Sequence, residues 1–101
     1  MNNNLTFDSI QSGFAKAQGN EPLVKETSDS AFAADVLDAS RTLPIIVDLW
    51  APWCGPCKTL GPALERAVEA AGGAVRLVKI NVDENPVISS QLRVQSIPAV
   101  F

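Results

Sequence analysis

A chain of 101 residues, 47% of them hydrophobic, can build one modest core and is too short for two. Eleven acidic side chains against eight basic ones give a net charge of −3, which leaves no basic footprint for nucleic acid or an anionic membrane. The first twenty residues have neither a basic start nor an apolar core, and no apolar run approaches a bilayer span, so no membrane partner is expected and the default address is the cytoplasm.

The chain opens with a polar, asparagine-rich stretch in which Phe7, Ile10 and Phe14 are spaced for one helical stripe. Residues 1–21 are read as an N-terminal extension, flexible or partly helical, and residues 22–101 as the domain proper. Leu23 to Thr27 read as a short strand. Ser28 or Ser30 can then cap a helix whose Phe32, Val36 and Leu37 share one face. Pro44 to Trp50 is too uniformly apolar for a strand with one wet face and suits a central strand covered on both sides. Along it Ile46, Asp48 and Trp50 point one way, and Ile45, Val47 and Leu49 the other. Asp48 is out of place there, because a buried carboxylate is costly unless paired, hydrogen-bonded or protonated. It reads as a satisfied polar group at a strand end or as a proton acceptor beneath the loop that follows.

That loop is Trp53-Cys54-Gly55-Pro56-Cys57-Lys58, and it holds the only two cysteines. An amphipathic segment from Lys58 to Ala71 follows, so the first sulfur falls at a helix N-terminus. Unpaired N–H groups and the helix dipole favour a thiolate there, making Cys54 the nucleophile and Cys57, one turn further in, the resolving thiol. A zinc site would need two more Cys or His ligands. The chain has no histidine and no third cysteine, so only carboxylates or a second copy could complete one. A static bridge across so short a loop constrains little chain entropy, and in a reducing compartment vicinal cysteines are better explained by catalysis.

In the helix, Leu60, Leu64, Ala67, Val68 and Ala71 form the core face, and Lys58, Glu65, Arg66 and Glu69 are available for the wet side. A kink is expected at Pro62, and Gly72-Gly73 ends the segment. Val75 to Val82 alternates, with Leu77, Lys79 and Asn81 on one face and Val78, Ile80 and Val82 on the other. If a right-handed crossover lays this strand beside the previous one, Lys79 can reach Asp48; otherwise it is an ordinary surface lysine. Asn85-Pro86 supplies an N-cap and first position for a short helix with Ile88 and Leu92. Pro98 then opens a strand, and by base rate its peptide bond is trans.

Three segments in this order resemble the thioredoxin family over about Val24 to Phe101: Val47 to Lys58, with the WCGPCK motif at Trp53 to Lys58; Val78-Lys79-Ile80-Asn81-Val82-Asp83-Glu84-Asn85-Pro86; and Ser96-Ile97-Pro98-Ala99. The resemblance implies an α/β thioredoxin fold, a central mixed sheet flanked by helices in the order β-α-β-α-β-α-β. It implies a protein-disulfide reductase without a cofactor or metal of its own, in which Cys54 attacks a substrate disulfide and Cys57 resolves the mixed disulfide. Asp48 is then the buried carboxylate that helps deprotonate Cys57, and Lys79 its ion-pairing partner. Pro98 is a cis-proline facing the cysteines, with the Ile97 backbone left to pair with an extended substrate; Trp53, Gly55 and Pro56 complete the substrate-binding surface. The implied partners are protein disulfides and a flavoprotein thioredoxin reductase drawing on NADPH.

Two departures modify this expectation. The sequence stops within the strand that begins at Pro98, so the family's final strand and C-terminal helix are missing, a fragment of a longer reading frame is expected, and the end should show apolar surface and an open edge. The tail before Pro22 is longer than a minimal thioredoxin needs. It resembles the arrangement in bacterial chaperedoxins, where a thioredoxin-like domain precedes helical repeats. The alternative is therefore a domain of a redox-active holdase, with chaperone clients or a chaperonin as partners.

Overall fold

The computed structural model describes residues 21–101, so the extension read over residues 1–21, with its stripe of Phe7, Ile10 and Phe14, lies outside the described residues apart from Glu21. The described chain forms a four-stranded sheet in the order β1-β3-β2-β4, with β1 at Val24–Glu26, β2 at Ile45–Trp50, β3 at Arg76–Asn81 and β4 at Ala99–Val100. Helix α1, Gly55–Ala70, connects β2 to β3, and helix α2, Pro86–Gln91, lies between β3 and β4. Strands β1 and β2 both run parallel to β3, while β4 runs antiparallel to β2.

Parallel neighbours need a long crossover, and α1 provides it, covering one face of the sheet. Residues of β2 therefore face apolar layers on both sides, and Val47, Asp48 and Leu49 are all buried. One layer joins Val47 and Leu49 to Val78, Ile80, Val36 and Ile88. On the opposite face of the sheet and on α1, Leu77 and Val68 are almost fully excluded from solvent. The alternation read from sequence thus holds in both central strands.

The first helical segment departs from expectation. Between β1 and β2 the chain makes one π-helical stretch, Ala33–Asp38, followed by a 3-10 turn, Ala39–Arg41. Val36 is buried and Phe32 packs on the core, but Leu37 is 56% exposed. Adjacent residues on a helix stand about 100° apart, so a short segment with a single inward side cannot bury both Val36 and Leu37. Asp35 fixes the segment to β1, accepting from Thr27 Oγ1 at 2.6 Å and from Lys25 Nζ at 3.0 Å.

Helix α1 runs through Pro62 without interruption, and it ends where Gly72 (φ 64°) and Gly73 (φ 102°) adopt the left-handed conformation that glycine takes without steric cost. Helix α2 begins at Pro86 as the sequence indicates, but the side chain of Asn85 does not cap it. Its oxygen accepts from Asp29 N, and its amide donates to Asn81 O. The capping groups come from Asp29, whose carboxylate accepts from Val87 N at 3.2 Å and Ile88 N at 2.9 Å. A carboxylate from the connection that follows β1 thus satisfies two donors at the helix start.

The Ile97–Pro98 peptide is cis, as the family resemblance implies and against the base rate. Beyond it, β4 pairs Leu49 with Ala99 and Asp48 with Val100, and Val47 and Phe101 exchange two backbone hydrogen bonds of 2.9 Å. Val100 and Phe101 are 45% and 55% exposed. Among the described residues no helix is long and apolar enough to cross a membrane.

Candidate active site

Strand β2 delivers the chain to the cysteine loop, and α1 begins inside it. Cys54 is extended (φ −85°, ψ 107°) and is the N-cap of the helix, its Sγ accepting from Cys57 N at 3.2 Å. Gly55 and Pro56 fill the first two helical positions, where the missing N–H of proline is harmless. Cys54 and Cys57 are joined in a disulfide with their Cα atoms 5.4 Å apart. Only 3% of Cys54 and 8% of Cys57 is exposed, so accessibility does not separate attacker from resolver. The two sulfurs differ in their place at the helix end: Cys54 Sγ is the one that accepts from the Cys57 amide.

Around the sulfurs pack Ala51, Trp50, Val82 and Ile97. Trp53 is 67% exposed, and its indole N–H donates to both carboxylate oxygens of Asp83, at 3.0 and 3.2 Å. The sequence shows Asp83 only as part of the second motif, because strand alternation says nothing about a residue in the turn after β3. Among the described residues the Ile97 backbone has no hydrogen-bond partner within the chain. Its main-chain donor and acceptor are thus open beside Pro98.

Asp48 lies at the bottom of the same region. It is 1% exposed, and its Oδ1 has no hydrogen-bond partner. Burial pushes its carboxyl above the usual carboxylate range; the Lys79 charge opposes that rise and the Glu65 charge reinforces it. A cavity of about 260 Å³ is lined by Asp48, Cys57, Lys58, Trp50, Glu65 and Lys79, so the carboxyl and the second cysteine open onto one space.

The expected Asp48–Lys79 ion pair is absent among the described residues. The two stand side by side in register on β2 and β3, but Lys79 Nζ turns to Glu65 Oε2 at 2.7 Å and lies 5.7 Å from the centre of the Trp50 ring. Glu65, read as a wet-side residue, is the partner. The signal was in the sequence: Cys57, Gly61 and Glu65 recur every four residues on α1, and Cys57 and Gly61 are both buried. Glu26 on β1, beside Lys79 in register, also has a carboxyl raised chiefly by burial; the Trp50 indole N–H lies near enough to oppose this without closing a hydrogen bond. No group of three or more His, Cys, Asp or Glu side chains converges as a metal site among the described residues.

The family model described as Thioredoxin matches residues 23–101. A thioredoxin from Synechocystis sp. is 45% identical over 76 residues, which are 75% of this chain and 69% of that protein. A thioredoxin from Rhodospirillum rubrum is 47% identical over 78 residues, 77% of this chain and 73% of that protein. Among solved structures, that of chloroplastic thioredoxin z superposes with a TM-score of 0.69 at 43% identity, covering 76% of this chain and 66% of the other.

Proposed function

Because this chain belongs to the thioredoxin family and is a thiol–disulfide oxidoreductase, we propose that it reduces disulfides of other proteins through Cys54 and Cys57, with Asp48 as the base for the second step. The observation behind this reading is that one sulfur caps a helix while the other shares a cavity with a buried, unpartnered carboxyl.

In the reduced protein the Cys54 thiolate attacks one sulfur of a substrate disulfide. The substrate S–S bond breaks, its other sulfur leaves as a thiolate and takes a proton, and a mixed disulfide joins Cys54 to the substrate. Cys57 then gives its proton to the Asp48 carboxylate, and the new thiolate attacks Cys54 Sγ. The substrate's second sulfur departs and is protonated, and the Cys54–Cys57 bridge forms. Two electrons have moved from the dithiol to the substrate. Asp48 must be ionised at the moment of transfer, and a carboxyl raised by burial is a stronger base than an ordinary one.

An extended substrate segment lies across Trp53, Gly55 and Pro56 and pairs with the Ile97 backbone beside Pro98. The exposed indole offers apolar contact, and its bond to Asp83 fixes its plane. A flavoprotein reductase drawing on NADPH returns the disulfide to the dithiol, and the working compartment is a reducing one such as the cytoplasm. The relatives reported above are named thioredoxins, which supports a reductase over a client-holding chaperone domain.

Cys57→Ser tests the division of roles. The variant accumulates protein substrates on Cys54 as adducts that dithiothreitol releases, visible by non-reducing electrophoresis and mass. Absence of adducts with Cys57→Ser, or their appearance with Cys54→Ser instead, would reverse or remove the assignment.

A further inference from the structure

Asp48 and Lys79 stand side by side in register on neighbouring strands, both on the face that α1 covers. Asp48 is buried and the Lys79 side chain is 19% exposed, so opposite charges so placed attract, and with nothing else nearby the ammonium would settle on the carboxylate. It does not. Lys79 Nζ is 2.7 Å from Glu65 Oε2, while Asp48 Oδ1 is left without a partner. Gly61 stands beside the pair, and a Cβ built there would meet Lys79 Nζ at 3.4 Å, an ordinary contact. Glu65 is on α1 two turns after Cys57, so the helix that holds the resolving thiol also holds the competing carboxylate.

We infer that Glu65 is a positioning residue for the resolving step: its carboxylate holds the Lys79 ammonium off Asp48 and so leaves Asp48 free to take the Cys57 proton. This rests on the assignment of Asp48 as the base for Cys57. A carboxylate locked to an ammonium would be ionised but weakly basic, whereas one that shares a cavity with the Cys57 sulfur and has no ammonium on it can accept a proton. The charged groups around Asp48 are Lys79 from β3, Glu65 and Lys58 from α1, and Glu26 from β1; β4 contributes only the apolar Val100 opposite it. Of these, Glu65 is the one that fixes where the nearest positive charge sits.

The test uses the full chain, pre-reduced, in single-turnover reduction of a cystine-bridged peptide across pH, with mixed disulfide and product quantified after acid quench. The acid limb of the resolving step is compared in wild type, E65Q, E65D, K79Q, D48N and the E65Q/K79Q double variant. The Asp48 carboxyl carbon is followed by NMR over the same range as a readout independent of turnover. In E65Q the freed Lys79 moves to Asp48, and both the limb and the carbon midpoint shift down by about 1 pH unit, with a slower plateau. E65D restores most of the shift. Most of it also disappears in the K79Q background, because Glu65 acts through Lys79.

A limb and midpoint unchanged in E65Q, with D48N still abolishing the limb, would overturn the role of Glu65 and leave Asp48 as the base. A limb that survives D48N would remove both assignments together. An E65Q variant that is merely less stable, with an unmoved pH profile, would make the Glu65–Lys79 pair a structural contact and nothing more.

Discussion

Asp48 is buried with an unpartnered carboxylate oxygen, and the cost of that burial has a pH signature. Its carboxyl is raised by burial above the usual range, so the native state holds the proton more tightly than the unfolded chain does. At pH values below the ordinary aspartate range both states are protonated, and Asp48 costs nothing through charge. As pH rises through the raised native value, a carboxylate with an unpartnered oxygen forms inside the domain, and stability falls relative to a neutral residue. Asp48→Asn should therefore gain stability over wild type as pH rises from the ordinary aspartate value to the raised native one, by about 1.4 kcal/mol for each pH unit between them, and the gain should level off above. Urea unfolding at several pH values checks this, and a difference that is flat with pH would contradict it. The oddity of Asp48 was plain in sequence, since a single carboxylate interrupts an otherwise apolar strand. The partner of Lys79 was not, because strand alternation gives the face a side chain leaves from but not which helix residue it meets.

At the scale of elements, the central strands and α1 were legible because their apolar residues recur with one period and end at clear breakers: Gly72 and Gly73 take the left-handed turn the sequence suggested. The segment between β1 and β2 was not, since a π-helical turn is set by how Asp35 reaches Lys25 and Thr27 rather than by any repeat of apolar residues. Helix α2 shows the same limit. The start at Asn85-Pro86 was found, but the capping carboxylate is Asp29, 58 and 59 positions away from the amides it binds, and a local capping rule cannot see it. Asp29→Ala should cost about 1–2 kcal/mol. It should also raise hydrogen exchange selectively at Val87 and Ile88. Exchange there equal to wild type would mean that Asn85 or water can replace the cap.

At the scale of the molecule, the sheet order β1-β3-β2-β4 brings together residues from Asp48 to Pro98 that no single element could assemble. Strand β2 ends under the disulfide, β3 aims Lys79 at α1, and the cis Ile97–Pro98 peptide sets an unpaired backbone beside the sulfurs. The three sequence motifs fall on these three places, which is why the site could be read from the chain; Glu65 lay outside all of them. The central claim is that Cys54 and Cys57 act as one reducing couple. The most direct measurement is an equilibrium titration of the chain in dithiothreitol redox buffers, read by thiol alkylation and mass. A single two-electron midpoint more reducing than the glutathione pool, with both thiols alkylated together, is the predicted result. A midpoint at or above that pool, or two cysteines that titrate separately, would contradict it.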